Sequence, residues 1–178
     1  MNKGSVFLIK IVLVYAVWKL FHYAAHHGNY FLPKLWQQIT HYLSVGYAAT
    51  TSQVLSLFGY TSFSKGIAIF IGEKGSQILV EEHCLAIPAM VVFVGAVLLY
   101  PTQDTSRRWF IPFGLGMIAL INIFRLSSLS IIFDQFNRQF FELNHSYIYL
   151  VLCYGMIGLL LWWWSNKIIS QTEGNKAK

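Results

Sequence analysis

Charge is scarce in this chain. Only 11% of its residues are charged, where a soluble domain carries about a quarter. Acidic residues are the scarcest, seven against thirteen Lys and Arg, which leaves a formal charge of +6. That excess does not describe a nucleic-acid surface. No Lys/Arg stripe is present, and the basic residues mostly flank apolar runs, as the positive-inside rule requires of membrane spans. Cysteine is limited to Cys84 and Cys153, too few for a disulfide framework. Cys153 lies inside an apolar run and reads as a small packing residue. A small-residue cleavage site is also missing after the first apolar run, where bulky His22, Tyr23, His26 and His27 follow instead. The run therefore reads as a retained helix and not as a signal peptide.

What abounds is apolar and aromatic. Hydrophobic residues make up 56% of the chain, with six Trp, ten Tyr and fourteen Phe, a supply that suits two interfacial aromatic belts. The length fits one domain, 1–178. Apolar runs at about 5–21, 85–100, 109–133 and 147–164 are expected to span a bilayer. The second is short for a span of ~20 residues, so it is expected to begin a little before Cys84. Lys10, inside the first run, is expected to snorkel or to face other helices.

Two segments read differently. Over 43–58, Leu43, Tyr47, Val54, Leu57 and Phe58 share one helical face, with Ala49, Ser52 and Ser56 opposite. This predicts an interfacial helix or one lining a polar cavity, a further spanning helix being the alternative. Over 66–82, Ile67, Ile69 and Ile71 alternate with other residues, Gly72-Glu73-Lys74-Gly75 marks a turn, and Ser76–Val80 reads as a second strand. A hairpin cannot leave open edges in lipid, so it is expected outside the hydrocarbon. The fold class expected is an all-α membrane protein: a polytopic helical bundle of about four spanning helices plus an interfacial or fifth helix, with a small extracytoplasmic β-hairpin. Arg107-Arg108 marks a cytoplasmic loop. Asn166 to Lys178 reads as a polar, frayed cytoplasmic tail.

This topology brings distant residues to one depth. Cys84 lies at the outer start of its helix and His145 at the outer start of the last one. Arg125 lies 17 residues past Arg108, a climb of about 25 Å, and so nears the outer face too. An arginine within a span costs on the order of 2.5–3.5 kcal/mol at the centre. With Asn122 one turn before it and Ser128 one turn after it, Arg125 is expected to face a polar cavity, the alternative being a side chain snorkelling to headgroups. A guanidinium near Cys84 would favour its thiolate. An imidazole at His145 could serve as acid or base, and Arg125 could bind an oxyanion. His83 is the rival base. Glu81 and Glu82 orient His145, bind substrate, or are simply solvated strand-end charges. His22 and His26 have ligand spacing for a metal or haem, but just past the first span they read as interfacial or loop histidines.

These residues resemble the exosortase/archaeosortase family of membrane cysteine transpeptidases. The resemblance rests on a hairpin-like segment ending at Glu82-His83-Cys84, on Asn122-Ile123-Phe124-Arg125 within a span, and on His145 just before the last span, in matching order over about 66–164. It implies Cys84 as nucleophile, Arg125 as stabiliser of thiolate or oxyanion, and His145 as general acid/base; from the residues themselves, Asn122, Ser128, Glu81 and Glu82 are the candidates for binding substrate or supporting. It further implies cleavage of C-terminal sorting signals on exported proteins through an acyl-enzyme, at the outer face of the cell membrane. No metal, cofactor or nucleic acid is expected; the lipid bilayer is the other partner. One departure stands out: family members often carry a small polar residue and then Gly after the cysteine, where this chain has Leu85-Ala86. The alternative from another class is a non-catalytic membrane assembly subunit, or a haem- or lipid-binding one.

Overall fold

A computed structural model describes residues 3–28, 31–72, 75–100, 107–135 and 149–176. Helix α1 runs Lys3–His27 and α2 runs Phe31–Leu57. A sheet follows: β1 Ser62–Lys65, β2 Ala68–Ile71 and β3 Ser76–Leu79. A 3-10 turn, Glu82–Cys84, leads into α3, Ile87–Leu99, with Pro88 in its first turn, where a missing N–H is harmless. Helix α4 runs Arg107–Gln135 and α5 runs Tyr149–Lys176. His145 lies outside the described residues, as do 101–106 and 136–148.

The expected hairpin is part of a three-stranded antiparallel meander with order β1-β2-β3. The pair β2–β3 occupies the predicted strands, with Ala68 opposite Leu79 and Ile71 opposite Ser76. The strand not foreseen is β1, Ser-Phe-Ser-Lys, which is short, polar and without a hydrophobic face of its own. It is held by cross-strand stacking of Phe63 on Phe70 at 4.8 Å and by Ser62 Oγ, which donates to the Ser52 carbonyl at 2.7 Å. Gly72 closes β2 in the left-handed region, φ 72°, and a Cβ there would sit 2.7 Å from the Asp134 carboxylate oxygens. Asp134 belongs to the last turns of α4 and accepts a bond from Ser76 Oγ at 2.9 Å. The sheet is thereby fastened to one end of α4.

The segment at 43–58 is the second half of a 27-residue helix. Its inward stripe is Trp36, Thr40, Ser44, Tyr47, Ala48, Thr51, Ser52 and Leu55, while Leu43, Leu57 and Phe58 are exposed. The polar face packs inward and much of the apolar face points out, the reverse of a water-soluble helix. The expected frayed tail is helical instead, since α5 continues to Lys176.

Two buried clusters stack along α4. One joins Phe93 and Val97 of α3 to Phe110 and Ile118 of α4 and to Cys153, Ile157 and Leu160 of α5. Gly114 of α4 makes this possible, because any Cβ there would land on the Phe93 ring; small residues let helices approach closely in a membrane bundle. The other cluster collects Tyr47, Ala48 and Leu55 of α2, Ile69 and Ile71 of β2, Val80, Cys84, Leu85 and Leu126. Cys84 thus lies where α2, the sheet and α4 converge. Among the described residues, α4 is the one helix long and apolar enough to cross a membrane by length and composition, with mean hydropathy 1.9. Helix α3 and residues Val151–Asn166 are shorter apolar helices.

Candidate active site

The residues that precede α3 form a tight turn. Cys84 N–H donates to the Glu81 carbonyl at 2.8 Å and Leu85 N–H to the Glu82 carbonyl at 3.1 Å. The chain then passes through Ala86 at φ 55°, ψ 20°, a left-handed conformation rare for a residue with a Cβ. This kink redirects the chain into α3 and leaves Cys84 4% exposed.

Helix α4 meets the turn at Asn122. This side chain is fully buried and donates Nδ2 to the Cys84 carbonyl at 2.6 Å. The Tyr47 hydroxyl from α2 lies against the same amide. Asn122 Oδ1 is buried with no hydrogen-bond partner among the described residues. Arg125 follows one turn on, with its Nε and Nη1 shielded from solvent, and its charge acts on Cys84. Burial pushes the Cys84 thiol up from its ordinary value; a hydrogen bond from the Glu81 backbone and the Arg125 charge oppose this without cancelling it.

Ser128 does not share that face. It is exposed and donates to the Phe124 carbonyl of its own helix. The reason is angular: six residues on from Asn122 is about 600° at 3.6 residues per turn, a third of a turn away from it. The buried continuation of the Asn122 stripe is Leu126, Leu129 and Ser130.

Glu82 has the most partners. Its Oε1 accepts from Trp36 Nε1 at 2.9 Å and pairs with His22 Nε2 at 2.8 Å, while Oε2 lies 3.2 Å from His26 Nε2. Burial alone would raise this carboxyl, but the bonds from Trp36, His22 and His26 outweigh it and hold Glu82 below the usual carboxylate range. Glu82 is therefore not a solvated strand-end charge. Glu81 is: it is exposed and lies 3.6 Å from exposed His83. His83, Glu82, His22, His26, Lys19 and Trp18 line an open cavity of about 380 Å³ beside the turn.

His22 and His26 belong to a helix and not to a loop. Helix α1 does not stop at the end of its apolar run but continues to His27, because Tyr23-Ala24-Ala25 contains no helix breaker before Gly28. His22 and His26 therefore stand on one helix face, with ring centroids 4.5 Å apart. Their i, i+4 spacing was the available signal. Nothing in the sequence pointed to Trp36, and Tyr47, read on one face with Leu43, Leu57 and Phe58, is buried where those three are exposed.

No curated protein and no solved structure matches the chain significantly. The family model described as Transmembrane exosortase (Exosortase_EpsH) does, over residues 6–163, and with nearly the whole chain covered, this membrane protein belongs to the transmembrane exosortase family.

Proposed function

We propose that the protein is a membrane-embedded cysteine transpeptidase or protease that cleaves C-terminal sorting signals of exported proteins through an acyl-enzyme at Cys84. The observation that carries this reading is the bond from Asn122 to the Cys84 carbonyl, which holds the thiol's turn against the helix that bears Arg125. Cysteine, asparagine and arginine are each costly or idle in an apolar bundle unless they act together.

In this reading the buried thiol rests protonated and needs a base. His145 takes that proton, and the Cys84 sulfur attacks the scissile carbonyl carbon. The charge that develops on the carbonyl oxygen is met by the Arg125 guanidinium in a site partly shielded from water. The tetrahedral intermediate collapses with loss of the C–N bond, and His145 returns the proton to the leaving amine. An incoming amine or water then attacks the thioester and releases Cys84. Asn122 keeps the turn in register through its bond to the Cys84 carbonyl. Glu82 holds the turn from the other side, and neither Ser128 nor Glu81 has a part.

The topology that goes with this reading has the Cys84 turn and the sheet on the extracytoplasmic side and Arg107-Arg108 inside. The open edges of β1 and β3 support placing the sheet outside the hydrocarbon. Helix α2 keeps to the same end, since Trp36 near its start reaches Glu82 and Ser52 near its finish holds β1. That favours an interfacial α2 over a fifth span.

The test is processing of an exported protein bearing a sorting tail, in cells producing wild type or Cys84→Ala at matched levels. The variant is expected to leave the tail uncut. Normal processing by Cys84→Ala would overturn the cysteine mechanism.

A further inference from the structure

The cavity beside the active turn contains a donor set that the proposed chemistry does not use. His22 Nε2, His26 Nε2 and a Glu82 carboxylate oxygen all lie within 4.8 Å of one another. Two imidazoles one helical turn apart with a carboxylate from elsewhere in the chain form the His₂Glu pattern of three-ligand zinc sites that keep a fourth position open. The separations fit. Zn–N and Zn–O bonds of 2.0–2.2 Å at tetrahedral angles put ligand atoms about 3.3 Å apart, and the two imidazole nitrogens stand 2.8 and 3.2 Å from the carboxylate oxygens they face. The mixed nitrogen and oxygen set suits a borderline transition ion and is poor for Mg²⁺ or Ca²⁺, which take oxygen ligands.

The surroundings are those of a metal site. Trp36 Nε1 donates to Glu82 Oε1 and fixes the carboxylate, the role that outer-shell donors play around zinc ligands. The ligands line the cavity of about 380 Å³, which leaves room for water or a small ligand at the fourth vertex. Lys19 also lines the cavity and opposes a cation, but its Nζ is drawn over the Tyr15 ring, 5.7 Å from the centroid. His83, the other basic side chain there, faces Glu81.

We propose that His22, His26 and Glu82 bind one Zn²⁺ or a similar divalent transition ion. The ion ties the last turns of α1 to the turn that carries Cys84, two residues beyond Glu82. The site is independent of the peptidase reading and survives its failure.

The experiment uses the full chain, purified in detergent through a tag without histidine, stripped with a chelator and dialysed against Zn²⁺. One Zn²⁺ per chain is expected, with a higher melting temperature, and Co²⁺ in its place should show visible absorption from a tetrahedral site. His22→Ala, His26→Ala and Glu82→Gln are each expected to weaken binding at least tenfold, and exposed His41→Ala to leave it unchanged. Trp36→Phe keeps all three ligands and is expected to retain the stoichiometry while losing about 10–100-fold in affinity. Folded wild type that takes up no Zn²⁺ would overturn the proposal whatever the variants do, and so would binding indifferent to His22→Ala and His26→Ala. Should those variants fail to fold, the wild-type stoichiometry and the Trp36→Phe affinity decide.

Discussion

Asn122 and Cys84 are joined by a 2.6 Å hydrogen bond from a side-chain amide to a main-chain carbonyl, across 38 residues of sequence and between two different elements. The bond acts on the backbone of Cys84 and leaves its sulfur untouched. It therefore sets where the thiol is presented to the Arg125 side of α4 and takes no direct part in proton transfer.

Asn122→Leu keeps the volume and removes the donor. The Cys84 carbonyl is then buried without its partner, a loss of about 1–3 kcal/mol. A lower melting temperature in detergent is expected, together with a fall in processing larger than the loss of folded protein explains. Equal processing per folded molecule would show that the bond is only structural.

Arg125 separates two roles by its substitutions. Arg125→Lys keeps the charge and loses the planar fork, so processing is expected to fall nearly as far as in Arg125→Met if the fork binds an oxyanion. The thiol provides a second readout. The Arg125 charge pulls the raised Cys84 thiol downward, so Arg125→Met should move the rise of Cys84 alkylation with pH to higher pH, while Arg125→Lys should move it little. Processing by Arg125→Lys at the wild-type rate would mean a snorkelling side chain and no fork.

The grouping of Asn122 and Arg125 with Cys84 was legible because apolar surroundings make polar residues conspicuous. Arg125 and Asn122 interrupt a hydrophobic helix, and counting 1.5 Å per residue from Arg108 placed them near the level of Cys84. The strands at 68–71 and 76–79 were legible from isoleucine alternation and a glycine-bounded turn. Strand β1 was not, because Ser62–Lys65 has no hydrophobic face and owes its place to the bonds of Ser62 with α2. Ser128 was assigned to the wrong face because two successive steps of three residues were taken as one stripe, which drifts by a third of a turn. The grip of Trp36 on Glu82 spans 46 residues and depends on how α2 docks, which no local pattern encodes.

Cys153 gives a contrast to Cys84. It is 1% exposed within the cluster of α3, α4 and α5. Cys153→Ala is expected to cost on the order of 1 kcal/mol in stability and to leave processing intact. In that background Cys84 is the one remaining cysteine, and a membrane-impermeant maleimide should reach it only from outside. A cysteine placed at position 106 in a Cys84→Ala, Cys153→Ala chain should be blocked from outside. Outside labelling at position 106 would invert the topology.

Ala86 ends the Cys84 turn in a conformation that favours glycine, φ 55°, at the position where the family often carries one. A left-handed residue with a Cβ costs about 1–2 kcal/mol. Ala86→Gly removes that strain but also a methyl buried in the α3–α4–α5 cluster, worth about 0.8 kcal/mol, and it gives the unfolded chain more freedom, worth roughly 0.5–1 kcal/mol. These effects nearly cancel, so Ala86→Gly is expected to keep both melting temperature and processing close to wild type. Ala86→Val has the opposite balance. A β-branched residue at positive φ is a true outlier, and its extra methyls enter a site only 6% exposed, where overpacking costs about 1–3 kcal/mol more. The turn has to open to admit valine, and opening it lengthens the bond from Asn122 to the Cys84 carbonyl. Ala86→Val is therefore expected to lose processing while Cys84 becomes easier to alkylate, since the thiol leaves its buried place. A valine variant that processes normally with Cys84 still shielded would show that the left-handed kink does not position the thiol.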